Sequence, residues 1–201
     1  MNLPNKITVA RMLMIPAMVA VPLFNIQGNF EILGGLTYSN LITVIIFLIA
    51  SITDFFDGYL ARKNNLVTTF GKFLDPIADK LLVLSAMLML VETNIIPAWI
   101  PIIIVAREFI VSGIRMLAAG EGNVIAASWL GKIKTVSQMI AITFAFIGNH
   151  KFLAFAMEKL TGADLIINVL LSIGMLVAVL ATVWSGVDYF MKSKEIVLKS
   201  K

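Results

Sequence analysis

The chain has 201 residues, of which 59% are hydrophobic and only 14% charged, and its mean hydropathy is +0.94. Soluble domains carry about 25% charged residues and disordered chains are rich in charge and poor in apolar side chains, so both classes are excluded. A net charge of +4 on so apolar a chain also argues against a nucleic-acid-binding protein. What remains is an all-α integral membrane protein with a single membrane-embedded domain over 1–201. There is no cysteine, so disulfides, thiolate metal sites and a cysteine nucleophile are ruled out.

A spanning helix needs about 20 mostly apolar residues, and six candidates follow one another. After a short juxtamembrane segment, the first covers 8–25. It contains Arg11, Pro16 and Pro22, a pattern unlike a cleavable signal peptide and one that bends a helix. The second covers 40–62 and is apolar until Asp54. The third covers 72–92. The fourth covers 97–118, with Pro97 and Pro101 expected in its first turn, where proline is tolerated. The fifth covers 129–148. The sixth covers 164–190, where Gly174, Ala178 and Ala181 allow close helix contact.

Among the connections, 151–160 reads as a short helix lying in the membrane interface or as a plain loop. His150 beside it is the only histidine, and it is expected at the surface rather than as a ligand. The tail 191–201 is basic and either rests on anionic headgroups or is simply solvated. Six spans put both termini on one side. Placing that side in the cytoplasm leaves only Lys151 and Lys159, of the 16 basic residues, on the other. Positive-inside bias supports that orientation.

Four aspartates stand out. Asp54 and Asp57 are spaced i, i+3 at the end of the second span, and Asp75 and Asp79 are spaced i, i+4 at the start of the third. Each pair projects from one helix face, and the short connection makes the two helices antiparallel neighbours. The four carboxylates can then converge. Arg62 and Lys80 do not balance four like charges, whereas divalent Mg²⁺ or Mn²⁺, which takes carboxylate and phosphate oxygens, does. Two such ions bridged by shared aspartates suit phosphoryl transfer. Gly58 and Ala61 leave the helix face bare beside the carboxylates, with room for a flat group such as a nucleobase, and Arg62 can pair with a phosphate.

The run D-x2-D-G-x2-A-R-x8-G-x3-D-x3-D, complete from Asp54 through Gly71 to Asp79, resembles the signature of the CDP-alcohol phosphotransferases. The opening N5-K-I-T8-V-A-R11 is similar to the start of bacterial members. The resemblance implies transfer of a phosphatidyl or related group from a CDP-linked donor to an alcohol, with release of CMP, at a site open to the cytoplasm. It implies that Asp54, Asp57, Asp75 and Asp79 hold two metal ions and that Asp79 is also the general base for the attacking hydroxyl. It places Asn5, Thr8, Asp54, Gly58, Ala61 and Arg62 at the CDP moiety, and it implies a homodimer.

The acceptor is read elsewhere. Arg107 and Arg115 in the fourth span and Lys132 and Lys134 at the start of the fifth exceed what anchoring needs. Such a cluster binds a phosphate on the acceptor, where arginine can act bidentately. Glu108 follows Arg107 directly, a spacing at which helix residues do not face each other, so it is expected to brace a basic residue of a neighbouring helix. The runs R107-E-x6-R115 and G131-K-x-K-T135 resemble the glycerol-3-phosphate-using members of the family, which implies CDP-diacylglycerol and glycerol-3-phosphate as substrates. Inositol phosphate, serine and phosphatidylglycerol are the alternative acceptors. A carboxylate-based divalent-cation transporter is the alternative from another class, although the acids gather at one membrane face and no internal repeat is visible.

Overall fold

The computed structural model describes residues 2–24, 28, 35–63, 69–120 and 129–192. Among the described residues every long element is helical. The order is α1 (Leu3–Ala20), a 3-10 turn (Val21–Phe24), α2 (Tyr38–Lys63), α3 (Thr69–Glu92), α4 (Trp99–Gly120), α5 (Trp129–Gly148), the single-turn α6 (Ala154–Met157) and α7 (Gly162–Lys192). The six long helices coincide with the six apolar stretches of the sequence. The boundaries differ in detail. α1 takes in the juxtamembrane residues and carries Pro16 inside it, while Pro22 falls in the 3-10 turn. Pro97 lies before α4, and only Pro101 occupies its first turn.

α1 packs on α2 and α3, α4 packs on α7, and α5 runs against α2 and most extensively against α7. The core between them is filled by Phe47, Leu82, Met87, Leu90, Ile100, Ile142, Leu171 and Met175. The outward faces are apolar as well: Leu13, Ile102, Phe109, Leu180 and Trp184 are exposed. A helix that is hydrophobic all round belongs in a large core or a bilayer, and a bilayer is the solvent that these outer faces match. Among the described residues, three helical stretches are long and apolar enough to cross a membrane on composition alone: Asn5–Phe24, Trp129–Gly148 and Gly162–Met191. α2, α3 and α4 have 26, 24 and 22 residues. At about 1.5 Å per residue each could also cross a hydrocarbon core about 30 Å thick. In α2 the described apolar stretch is the shorter Tyr38–Thr53, and α3 and α4 carry charged residues within their length.

Side-chain bonds sort the helix ends into two groups. At one end, the start of α1 meets the start of α3 through Thr8 and Asp75. There too α3 meets α4 through Lys80 and Ser112, α4 meets the start of α5 through Glu108 and Lys134, and α4 meets the end of α7 through Arg115 and Tyr189. At the other end, the Phe152 amide donates to the Ile95 carbonyl, and Trp99 meets Phe152 edge to face. In this second group Gly35 lies so close to the Gly148 carbonyl that a Cβ there would collide with it. The start of α1 and the end of α7 therefore lie at the same end of the bundle.

The connection after α5 combines the two expectations for it. Only Ala154–Met157 is helical, with Phe155 and Met157 facing outward. The rest is irregular and is pinned to α7, because the Phe155 amide donates to Asn168 Oδ1 and the Leu153 amide donates to Ser172 Oγ. His150 is half-buried rather than fully at the surface, with Nε2 3.6 Å from Asp164 Oδ1. The tail beyond 192 lies outside the described residues.

Candidate active site

Asp75 and Asp79 sit one turn apart on α3, both half-buried. The Thr8 hydroxyl of α1 donates to Asp75 Oδ1 at 2.8 Å, and Thr8 and Asn5 are themselves buried. Thr8, expected at the CDP moiety, is thus a direct hydrogen-bond partner of one motif aspartate. Asp54, Asp57, Gly58, Ala61 and Arg62 fall in the last turns of α2, and their side chains lie outside the described residues. Arg11, fully buried, donates from Nε to the Ala50 carbonyl at 3.1 Å, which ties α1 to α2 one turn before Asp54.

A few residues along, a cavity of about 490 Å³ opens between α4 and α5. Its lining includes Arg107, Glu108, Arg115, Lys132, Lys134 and Thr135. All four basic residues singled out for the acceptor therefore surround one space. They are held differently. Lys134 is buried and its Nζ donates to Glu108 Oε1 at 2.7 Å. Arg107 Nη1 donates to the same oxygen at 2.9 Å. Glu108 does brace a neighbouring helix, but the expectation that it would not face Arg107 is corrected. The guanidinium sits on a long, flexible stem, and the spacing rule for short contacts does not constrain it. Lys132 is exposed, with Nζ 5.7 Å from the centre of the Trp129 ring.

A second, small cavity of about 50 Å³ is lined by Asp79, Lys80, Glu108, Lys134, Thr135 and Gln138 among others. Glu108, Lys134 and Thr135 line both spaces. They form the wall between the basic cavity and the second aspartate of α3. Chemically, a strongly cationic chamber that suits a phosphate adjoins a carboxylate able to accept a proton.

A family model described as CDP-alcohol phosphatidyltransferase matches residues 1–185. The chain belongs to this family. Relatives agree over nearly the whole length. A Bacillus subtilis (strain 168) protein named CDP-diacylglycerol–glycerol-3-phosphate 3-phosphatidyltransferase is 46% identical over 196 residues, covering 96% of each chain. Proteins of the same name from Rickettsia typhi and Haemophilus influenzae are 38% and 35% identical, covering 96% of this chain and 97% and 94% of theirs.

Within this family member, sequence reasoning passed over two residues that hold the arginines of the basic cavity from behind. Ser185 and Tyr189 are spaced i, i+4 on α7, and both are buried. Arg107 Nε donates to Ser185 Oγ at 3.1 Å, and Arg115 Nη2 donates to the Tyr189 hydroxyl at 2.5 Å. Their only signal in the sequence was a polar i, i+4 pair within an apolar helix. Among the described residues no three His, Cys, Asp or Glu side chains gather. Asp75 and Asp79 nevertheless offer half-buried carboxylate oxygens on one helix face, with Asp75 oriented by Thr8. This is the hard-oxygen donor type that Mg²⁺ and Mn²⁺ take.

Proposed function

We propose that the protein transfers a phosphatidyl group from CDP-diacylglycerol to glycerol-3-phosphate, giving phosphatidylglycerophosphate and CMP. The observation that carries the acceptor assignment is the cavity in which Arg107, Arg115, Lys132 and Lys134 meet beside Asp79. An alcohol without phosphate, such as serine, would not need four cations there. The names of the relatives point the same way.

In this reading the acceptor phosphate lies in the basic cavity, and its free hydroxyl points towards Asp79. Asp79 accepts the hydroxyl proton as the oxygen forms its bond to the donor's β-phosphorus. The bond from that phosphorus to the bridging oxygen breaks, and CMP leaves with the electron pair. Asp54, Asp57, Asp75 and Asp79 would hold two divalent ions, Mg²⁺ or Mn²⁺. When bound, such ions neutralise the diphosphate and stabilise charge on the departing CMP. Asn5, Thr8, Asp54, Gly58, Ala61 and Arg62 bind the CDP moiety. Thr8 also keeps Asp75 in orientation. The six long helices span the cell membrane with both termini and the active site on the cytoplasmic side, and the enzyme works as a homodimer.

The test is CMP release by the purified protein in detergent, with CDP-diacylglycerol, Mg²⁺ or Mn²⁺ and a panel of acceptors. Release with glycerol-3-phosphate alone, abolished by a chelator, is the expected result. Release with inositol phosphate, serine or phosphatidylglycerol instead would overturn the acceptor assignment. No release with any acceptor would overturn the reaction.

A further inference from the structure

Arg107 and Arg115 lie two turns apart on α4, and α7 holds both, Arg107 in addition to its bond to Glu108 on its own helix. The Tyr189 ring has the Arg107 guanidinium carbon 5.6 Å from its centre and that of Arg115 5.2 Å away. Its hydroxyl accepts from Arg115, and one turn earlier Ser185 accepts from Arg107 Nε. Between them, Gly186 leaves the space that the Arg107 stem fills, since a Cβ there would lie 3.2 Å from Arg107 Cγ. Tyr189 is only 3% exposed and Ser185 is fully buried, so neither moves freely. Neither lines the basic cavity.

We infer that Tyr189, with Ser185 and Gly186, is a positioning platform that holds Arg107 and Arg115 in register for the acceptor phosphate. This rests on the proposed function and deepens it. Two guanidiniums close together repel, and each carries a long, rotamer-rich stem. The negative face of an aromatic ring offsets the repulsion. A hydrogen bond at the head and a packed stem remove most of the remaining freedom. The ordering that acceptor binding would otherwise require is then already in place, and it appears as affinity. Because the platform sits behind the arginines, its loss should weaken acceptor binding and leave donor binding and the chemical step nearly unchanged.

The test uses the full chain in detergent, comparing wild type with Tyr189→Phe, Tyr189→Leu and Ser185→Ala. Phe keeps the ring and loses only the hydroxyl, so it separates folding from positioning. Calorimetric binding of inorganic phosphate, glycerol-3-phosphate and CMP is measured alongside steady-state rates. Losing the ring and its hydroxyl should weaken binding of both phosphate ligands in Tyr189→Leu by about tenfold, with the acceptor KM rising in parallel. Phe and Ser185→Ala should fall between Leu and wild type. CMP binding, the CDP-diacylglycerol KM and kcat should stay within about twofold.

Equal phosphate affinity in wild type and Tyr189→Leu would overturn the inference while leaving the reaction intact. A fall in kcat, or in CMP binding, as large as the loss of acceptor affinity would also overturn it, since that is the pattern of a general structural defect. Absence of phosphate binding by wild type would overturn it as well, although CMP release with glycerol-3-phosphate would still uphold the reaction. If wild type binds phosphate but releases no CMP, the proposed function falls, and the ratio of phosphate affinities still decides the platform.

Discussion

The carboxylate of Glu108 stands where the two cavities meet and accepts hydrogen bonds from both Lys134 and Arg107. Replacing it by Gln keeps an oxygen that can accept both bonds but removes the negative charge that compensates Lys134 and Arg107. Removing the charged partner of buried Lys134 costs about 1–3 kcal/mol. Glu108→Gln should therefore lower the thermal midpoint in detergent and raise the acceptor KM several-fold; an unchanged midpoint would show that the bridge adds nothing to stability. Asp79→Asn keeps the shape of the side chain but removes the proposed proton acceptor. It should abolish CMP release while donor binding survives in part, and a wild-type rate would remove Asp79 from its role. Arg115→Ala should impair glycerol-3-phosphate use more than CDP-lipid binding, and equal losses would place Arg115 outside the acceptor site. The cationic residues of this site were legible in the sequence because charge within an apolar helix demands a reason. Ser185 and Tyr189 were not, because their partners lie 78 and 74 positions away and only the α4–α7 packing brings them together.

At the scale of elements, the most extensive packing among the described residues is α5 against α7. A Cβ on Gly174 would lie 3.1 Å from Ala141 Cβ and 3.3 Å from the Ser137 carbonyl oxygen, so the two helices approach on a small-residue seam. Of the three small residues that the sequence offered for close helix contact, Gly174 lies on this seam, and Ala178 and Ala181 are buried. Gly113 on α4 makes the contrast, since a Cβ there meets nothing within 4 Å. Gly174→Leu should overpack the seam and cost about 1–3 kcal/mol. Gly113→Ala should be neutral or stabilise by up to about 1 kcal/mol through helix propensity. Thermal unfolding of the two variants side by side checks the pair, and similar shifts would show that the seam is looser than the geometry requires. The approach of Gly35 to Gly148 had no comparable signal. A glycine in a connecting segment looks the same whether it turns the chain or admits a distant carbonyl.

At the scale of the whole molecule, two independent features sort the chain into the same two ends. One is charge: among the described residues Lys80, Arg107, Arg115, Lys132 and Lys134 lie at one end, and Lys151 and Lys159 lie at the other. The other is the network of bonds, which joins Thr8, Asp75, Ser112, Lys134 and Tyr189 at one end and Ile95, Phe152 and Asn168 at the other. The bonds show which helix ends meet. In the proposed topology the more basic of those ends faces the cytoplasm, as a positive-inside bias predicts. The absence of cysteine makes the orientation directly measurable, because any single introduced cysteine is the only reactive thiol. Lys159→Cys and Lys132→Cys are both exposed and lie at opposite ends of the bundle. In intact cells a membrane-impermeant maleimide should label the first and spare the second, and permeabilised cells should label both. Labelling of Lys132→Cys from outside would invert the topology. Labelling of both in intact cells would mean that the helices joining the two ends do not separate two compartments, and the six-span arrangement would fall with it.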